Sequence, residues 1–157
     1  MIKDLQLEQH QTQTHHYYMS LAYEQALKSY KEGGCPIGSV IIDEHGTVLG
    51  IGHNRLVQEG NPILHGEMSA MRAAGRMLSR RNTTLYTTLS PCMMCTGTII
   101  QFKIRCVVIG DTVNSGPANV NFLQQQGVDV IILDDPQCIA LVKKFRDEKP
   151  NLWLEDW

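Results

Sequence analysis

Three short apolar runs in the second half of the chain limit what it can become. They are "TTLYTTL" (83–89), "RCVVIG" (105–110) and "VDVIIL" (128–133). Each is rich in β-branched or aromatic side chains, as strands are. Helical patterns separate them. "SPCMMCTGTIIQF" turns sharply into a helix, a shorter helix falls near "NFLQQQG", and "DPQCIALVKKFRDE" sets Cys138, Leu141, Val142 and Phe145 at i, i+3, i+4 and i+7. Strands alternating with helices pair in parallel through right-handed crossovers. The unbroken apolar character of "CVVIG" and "VDVIIL" suits strands covered on both faces.

The first half adds a helix and a hairpin. Met19, Ala22, Tyr23, Ala26, Leu27 and Tyr30 recur at helical spacing, which predicts a helix from about 16 to 31, ended by "EGG". "PIGSVIID" and "TVLGIGHN" read as antiparallel strands joined by a tight turn at "DEHG". A loop, "RLVQEGNPIL", leads into a helix from about 65 to 80 with Met68, Met71, Gly75 and Leu78 on one face. The predicted fold is α/β: a three-layer α/β/α sandwich around a five-stranded mixed sheet, with the hairpin at one side. Residues 1–157 are read as one domain, long enough to bury a core. The polar residues 1–15 are read as a loose N-terminal extension, with His15 and His16 an untethered surface pair.

Composition narrows the function classes. A chain that is 43% hydrophobic and 19% charged is ordinary for a globular protein. A formal charge of −2 argues against a broad nucleic-acid footprint. Arg72, Arg76, Arg80 and Arg81, on one predicted helix, read as a solvated outer face. No apolar run approaches the roughly 20 residues of a membrane span, and the N-terminus lacks the apolar region of a secretory signal. Five cysteines, an odd count without such a signal, fit a reducing, cytoplasmic setting. Cys106 and Cys138 lie in apolar contexts and read as packing residues.

Cys92 and Cys95 are different. They lie two residues apart, after a strand and at the start of a helix. A redox dithiol and half of a metal site are both consistent with that placement. His65 breaks the tie, because it also enters a helix beside the same strand. Sites in parallel α/β proteins gather at the carboxyl ends of strands. Two thiolates and one imidazole make three ligands, the count for a catalytic zinc with a position left for water. His53 is a possible spare ligand, but it ends a predicted strand beside Asn54. Glu67 alone would read as a residue complementing the helix dipole. Beside His65, Cys92 and Cys95, it reads as the carboxylate that takes a proton from metal-bound water. At a helix start, two residues that close in sequence can both point into a cleft beyond the terminus.

The order H-x-E followed by P-C-x-x-C resembles the mark of the zinc nucleobase deaminases. From residue 16 to 157 the chain resembles the small, yeast-type cytosine deaminases of the cytidine-deaminase-like fold. The resemblance is carried by "YKEGGCPIG", "GHNR", "LHGE", "TTLYTTLSPCMMCTG", "RCVVIG" and "WLEDW". It implies Zn2+ held by His65, Cys92 and Cys95, with Glu67 as proton shuttle. It also implies that Asn54 and Asp156 hydrogen-bond the base, that Trp153 forms part of the pocket lid, and that the protein is a homodimer. An amide such as Asn54 offers both donor and acceptor to a pyrimidine edge. Gly66 would let the ring approach the backbone, and backbone groups near Ser90 would orient the amino group. One residue departs from the pattern: Ser115 stands where the family carries an aromatic lid residue. Phe122 is a possible replacement, although its helical position suits core packing.

The expected reaction is hydrolytic deamination of free cytosine to uracil and ammonia, with a small nucleobase as partner and neither nucleic acid nor membrane. The alternatives are deamination of another amino-heterocycle such as guanine or a substituted pyrimidine, of adenosine in transfer RNA, or a non-enzymatic thiol or zinc module.

Overall fold

A computed structural model describes residues 1–155. A helix, α1 (Ile2–Lys31), precedes the hairpin β1 (Gly38–Ile42) and β2 (Val48–His53). Next come α2 (Leu56–Glu59), α3 (Gly66–Ala74), β3 (Thr84–Thr87), α4 (Met93–Gln101) and β4 (Cys106–Ile109). The chain continues through α5 (Val120–Gln125), β5 (Asp129–Ile132), α6 (Pro136–Glu148) and α7 (Pro150–Glu155). The sheet runs β2-β1-β3-β4-β5. β1 is antiparallel to both β2 and β3, while β3, β4 and β5 are parallel. This is the mixed five-stranded sheet expected, with the hairpin on one side.

The period-2 alternation of strand side chains builds the layers. Ile41, Leu85, Val107 and Ile109 face one way and pack with Met71, Ile99 and Leu123 of α3, α4 and α5. Their neighbours Val40, Tyr86 and Val108 face the other way, onto Met19 and Ala22 of α1 and Cys138 of α6. A third cluster joins Ile37 and Leu89 to Val142, Phe145 and Trp153 at the carboxyl end of the parallel strands.

Four expectations change. Residues 2–14 are not a loose extension; they continue α1 outward from the core, almost fully exposed. The segment contains neither Gly nor Pro, and its Gln, Glu, Leu and Lys are good helix formers, so its polarity removes packing without removing the helix. His15 is tethered, its Nδ1 lying 2.9 Å from the hydroxyl of buried Tyr86. The helix predicted for 65–80 stops at Ala74, where Gly75 takes φ +71°. Leu78 is therefore exposed, and Arg76, Arg80 and Arg81 leave the helix. Arg80 turns inward, bonds the Gly75 carbonyl and stacks 5.2 Å over Phe102. Finally, β5 is an edge strand only partly covered, and Cys106 is only half-buried, although β4 is enclosed as predicted.

Gly50 and Gly52 let α3 lie directly on β2. A Cβ on Gly52 would stand 2.5 Å from the Ala70 nitrogen and 2.6 Å from the Ser69 carbonyl carbon. Neither backbone can yield without displacing α3. Gly52→Ala is expected to destabilise the fold by about 3 kcal/mol, at the upper end of overpacking penalties. Gly97→Ala is the control, because no atom lies within 4 Å of its added Cβ. It sits inside α4 and should gain up to about 1 kcal/mol. Urea midpoints measure both, and equal midpoints would sink this account of the α3–β2 contact.

Candidate active site

Two helix starts converge beyond the carboxyl end of β3. His65 is the N-cap of α3 and Cys92 the N-cap of α4. Both take extended backbone angles, φ −63° and ψ 167° for His65, φ −68° and ψ 175° for Cys92. The His65 side chain makes no cap bond to α3, and the Cys92 side chain meets Cys95 in the first turn of α4, so both face the gap between the helices. Cys95 and Glu67 lie in the first turns of α4 and α3. The positive ends of both helix dipoles therefore face one small volume, which favours thiolate and hydroxide there.

His65, Cys92 and Cys95 each offer one donor atom, and the three atoms lie within 4.8 Å of one another. His65 Nδ1 and Cys92 Sγ are 3.5 Å apart. Tetrahedral zinc with Zn–N of about 2.05 Å and Zn–S of about 2.3 Å requires an N···S separation of about 3.5 Å. The donor set therefore fits a zinc site, and three protein ligands leave one coordination position open. Among the described residues no fourth Cys, His, Asp or Glu joins the group. His53, the spare candidate, is spent elsewhere: its Nε2 lies 2.7 Å from Glu32 and its Nδ1 3.4 Å from Gln25.

The two thiols differ in acidity. The hydrogen bond from Cys95, aided by His65, brings Cys92 down to about 4 against the opposing effect of burial. The same contact, together with burial and the Glu67 charge, pushes Cys95 well up. Glu67 is 4% exposed, and burial raises its carboxyl above the usual range. One of its oxygens, Oε2, lies 3.4 Å from Cys95 Sγ, while Oε1 accepts a 3.0 Å bond from the Thr87 hydroxyl.

Asn54 follows β2 and is 1% exposed. Its N–H donates to the Ile37 carbonyl, and its Oδ1 accepts the Leu56 N–H at 3.1 Å. Gly66 borders the same Ile37: a Cβ there would stand 3.1 Å from the Ile37 carbonyl oxygen. The glycine thus leaves room for the Ile37 backbone that leads into β1. Ser90 is buried, and its N–H donates to the Asp111 carbonyl at 2.8 Å. Trp153, 8% exposed, shares a cluster with Ile37 and Leu89, which brings the C-terminal helix to this end of the sheet. Asp156 lies outside the described residues. Ser115 Oγ is buried and has no hydrogen-bond partner among them. Phe122 is 40% exposed, so it is not the core residue its helical position suggested.

Two features were invisible in the sequence. One is the hydroxyl pair Ser39–Thr87 behind Glu67. Its only signal is polar residues at inward-facing strand positions. The other is Arg146, which bonds the Asn114 carbonyl (3.3 Å) and Oδ1 (3.1 Å) while stacking 5.3 Å over Trp153.

The family model for the cytidine and deoxycytidylate deaminase zinc-binding region matches residues 12–111, an interval that holds His65, Glu67, Cys92 and Cys95. The chain belongs to this deaminase family. The cytosine deaminase of Candida albicans is 50% identical over 140 residues, which cover 88% of this chain and 93% of that protein. A tRNA-specific adenosine deaminase of Buchnera aphidicola is 37% identical over 97 residues, 60% of this chain and 64% of that protein. The solved guanine deaminase of Nitrosomonas europaea superposes with a TM-score of 0.71 at 22% identity, covering 83% of each chain, and so shares the fold. Among the described residues no helix of this deaminase-family chain is long and apolar enough to cross a membrane.

Proposed function

We propose that this chain hydrolyses free cytosine to uracil and ammonia. The observation that carries the reading is a buried carboxylate, Glu67, against a three-donor zinc site. The match over 60% of the chain to a tRNA-specific adenosine deaminase supports the chemistry, and the match over 88% of the chain to the Candida albicans enzyme supports the base.

Zinc held by His65, Cys92 and Cys95 would supply an acidified water at its open position. The residues do the rest. Glu67 Oε2 accepts a proton from the attacking water and gives it to the ring nitrogen, then takes the proton of the hydroxyl added at C4 and gives it to the departing amine, which leaves as ammonia. Asn54 has its Oδ1 occupied by Leu56, so its amide NH2 remains to donate to the base carbonyl. Ser90, with its N–H bonded to Asp111, keeps its carbonyl to accept from the 4-amino group. Gly66 contributes backbone only. Trp153 shields the ring, and Asp156 accepts from a ring N–H.

The finer setting follows the same reading: a cytoplasmic homodimer in pyrimidine salvage, with free cysteines suited to a reducing compartment. The purified, zinc-loaded protein should release ammonia from cytosine and elute at twice its 17.7 kDa chain mass. A second reading, another amino-heterocycle, is favoured by Ser115, whose unpartnered buried hydroxyl replaces the family's aromatic lid. A panel of free bases ranked by kcat/KM decides between them. Preference for guanine or for a substituted pyrimidine would overturn cytosine as the substrate.

A further inference from the structure

Glu67 is the side chain that the proposed reaction requires to take up and release protons during turnover. Its two oxygens are chemically equivalent, and the last bond of a glutamate side chain turns easily. Something must decide which oxygen faces the metal water. We propose that Thr87, backed by Ser39, is a positioning residue that makes this choice. The proposal rests on the deaminase reading above and extends it to two buried residues of the sheet behind Glu67.

The sheet register places the pair. Ser39 of β1 and Thr87 of β3 are direct partners across the antiparallel ladder, so their side chains share a face. That face looks towards α3, which carries Glu67. Both residues are 0% exposed. Ser39 Oγ donates to Thr87 Oγ1 at 3.2 Å, and Thr87 Oγ1 donates to Glu67 Oε1 at 3.0 Å. The Ser39 proton occupies one lone pair of the threonine oxygen and points the threonine's own proton away from β1. That proton has two acceptors in reach, Oε1 and the Leu89 carbonyl at 3.2 Å. Both are fixed by the backbone or by burial, so the hydroxyl has no solvent alternative.

The result is a divided carboxylate. Oε1 is anchored to the sheet, and Oε2 is left 3.4 Å from Cys95 Sγ, on the metal side. A threonine suits this role better than a serine because its branched Cβ restricts χ1 and holds the hydroxyl in place. Serine at 39 needs only to donate. A buried hydroxyl pair in the middle of a sheet is otherwise costly compared with apolar residues in the same places.

Thr87→Val keeps shape and branching and removes the donor. It is expected to lower kcat by about 30-fold, within the range for small misplacements of a catalytic group, with KM within about threefold. Thr87→Ser should retain kcat within about threefold, and Ser39→Ala should lose about fivefold. Zinc content and urea midpoint should follow the parent in Thr87→Ser. A readout independent of turnover comes from infrared difference spectra of 13C-glutamate-labelled protein against Glu67→Gln, which isolate the Glu67 carboxylate. Its stretching band should shift in Thr87→Val and hold in Thr87→Ser. An unshifted band, an unchanged kcat in Thr87→Val, or an equal loss in Thr87→Ser overturns the proposal. So does a loss of zinc in Thr87→Val, which would make the residue structural. A parent inactive on every free base whose band still shifts overturns the deaminase reading and leaves the anchoring contact standing.

Discussion

Glu67→Gln is expected to keep its zinc and lose cytosine turnover by about 1,000-fold, in the middle of the range for a lost general acid–base. The amide is isosteric and its oxygen still accepts the Thr87 hydroxyl, so the geometry behind the site survives. What disappears is the ability to take a proton at Oε2. The same change should raise the melting temperature. Burial lifts the folded-state pKa of Glu67 above that of the unfolded chain. Its contribution to stability is therefore present below the unfolded value and is lost as pH rises through the folded one, a pH-dependent burden on the fold. A neutral amide removes that burden. Ammonia release, metal analysis and a thermal scan on one preparation check all three statements. Turnover within tenfold of the parent would end the proton-shuttle role. Zinc lost together with activity would instead make Glu67 a ligand.

His65→Ala is the second large effect. Removing one donor of three should abolish stoichiometric zinc and take turnover below detection, and chelation of the parent should do the same. The loss should also be visible in stability. A ligand at about 1,000 times its dissociation constant stabilises the native state by about 4 kcal/mol. For a chain of this size that corresponds to a melting temperature lower by roughly 10 °C. Zinc uptake must also displace the proton that Cys95 holds in its contact with Cys92 and Glu67, so titrating metal into weakly buffered protein should acidify it. Full zinc occupancy in His65→Ala, or a chelated protein that melts with the parent, would remove His65 from the ligand set.

The metal donors were legible because their chemistry constrains local sequence. A cysteine pair two residues apart at a helix start and a histidine at another leave few alternatives, and the structure brings the three donors within 4.8 Å. The alternating strands and helices were legible for the same local reason: period-2 and period-3.6 patterns do not depend on distant contacts. Boundaries were less so. Gly75 ended α3 earlier than its apolar stripe suggested, because a left-handed φ outweighs a continuing periodicity. Residues 2–14 form helix without a buried face, which apolar periodicity cannot detect. The Ser39–Thr87 pair was hidden for a different reason. Its meaning depends on a register between strands more than forty residues apart, and nothing in "GSVII" or "TLYT" alone announces it.

The bonds of Arg146 have a consequence for engineering. Asp111 accepts the N–H groups of Val113 and Asn114 and the Asn114 side chain; Asn114 also reaches the Ile139 carbonyl; Arg146 then joins Asn114 to Trp153. The loop after β4, the length of α6 and the start of α7 are thereby stitched into one unit. The His65, Glu67, Cys92 and Cys95 side chains all precede it. A designer seeking a new base preference can exchange residues 111–155 together, matching the contacts that Leu123, Val142 and Phe145 make with the metal-binding half. Swapping Trp153 alone would remove the ring on which Arg146 stacks and leave the replacement without its support.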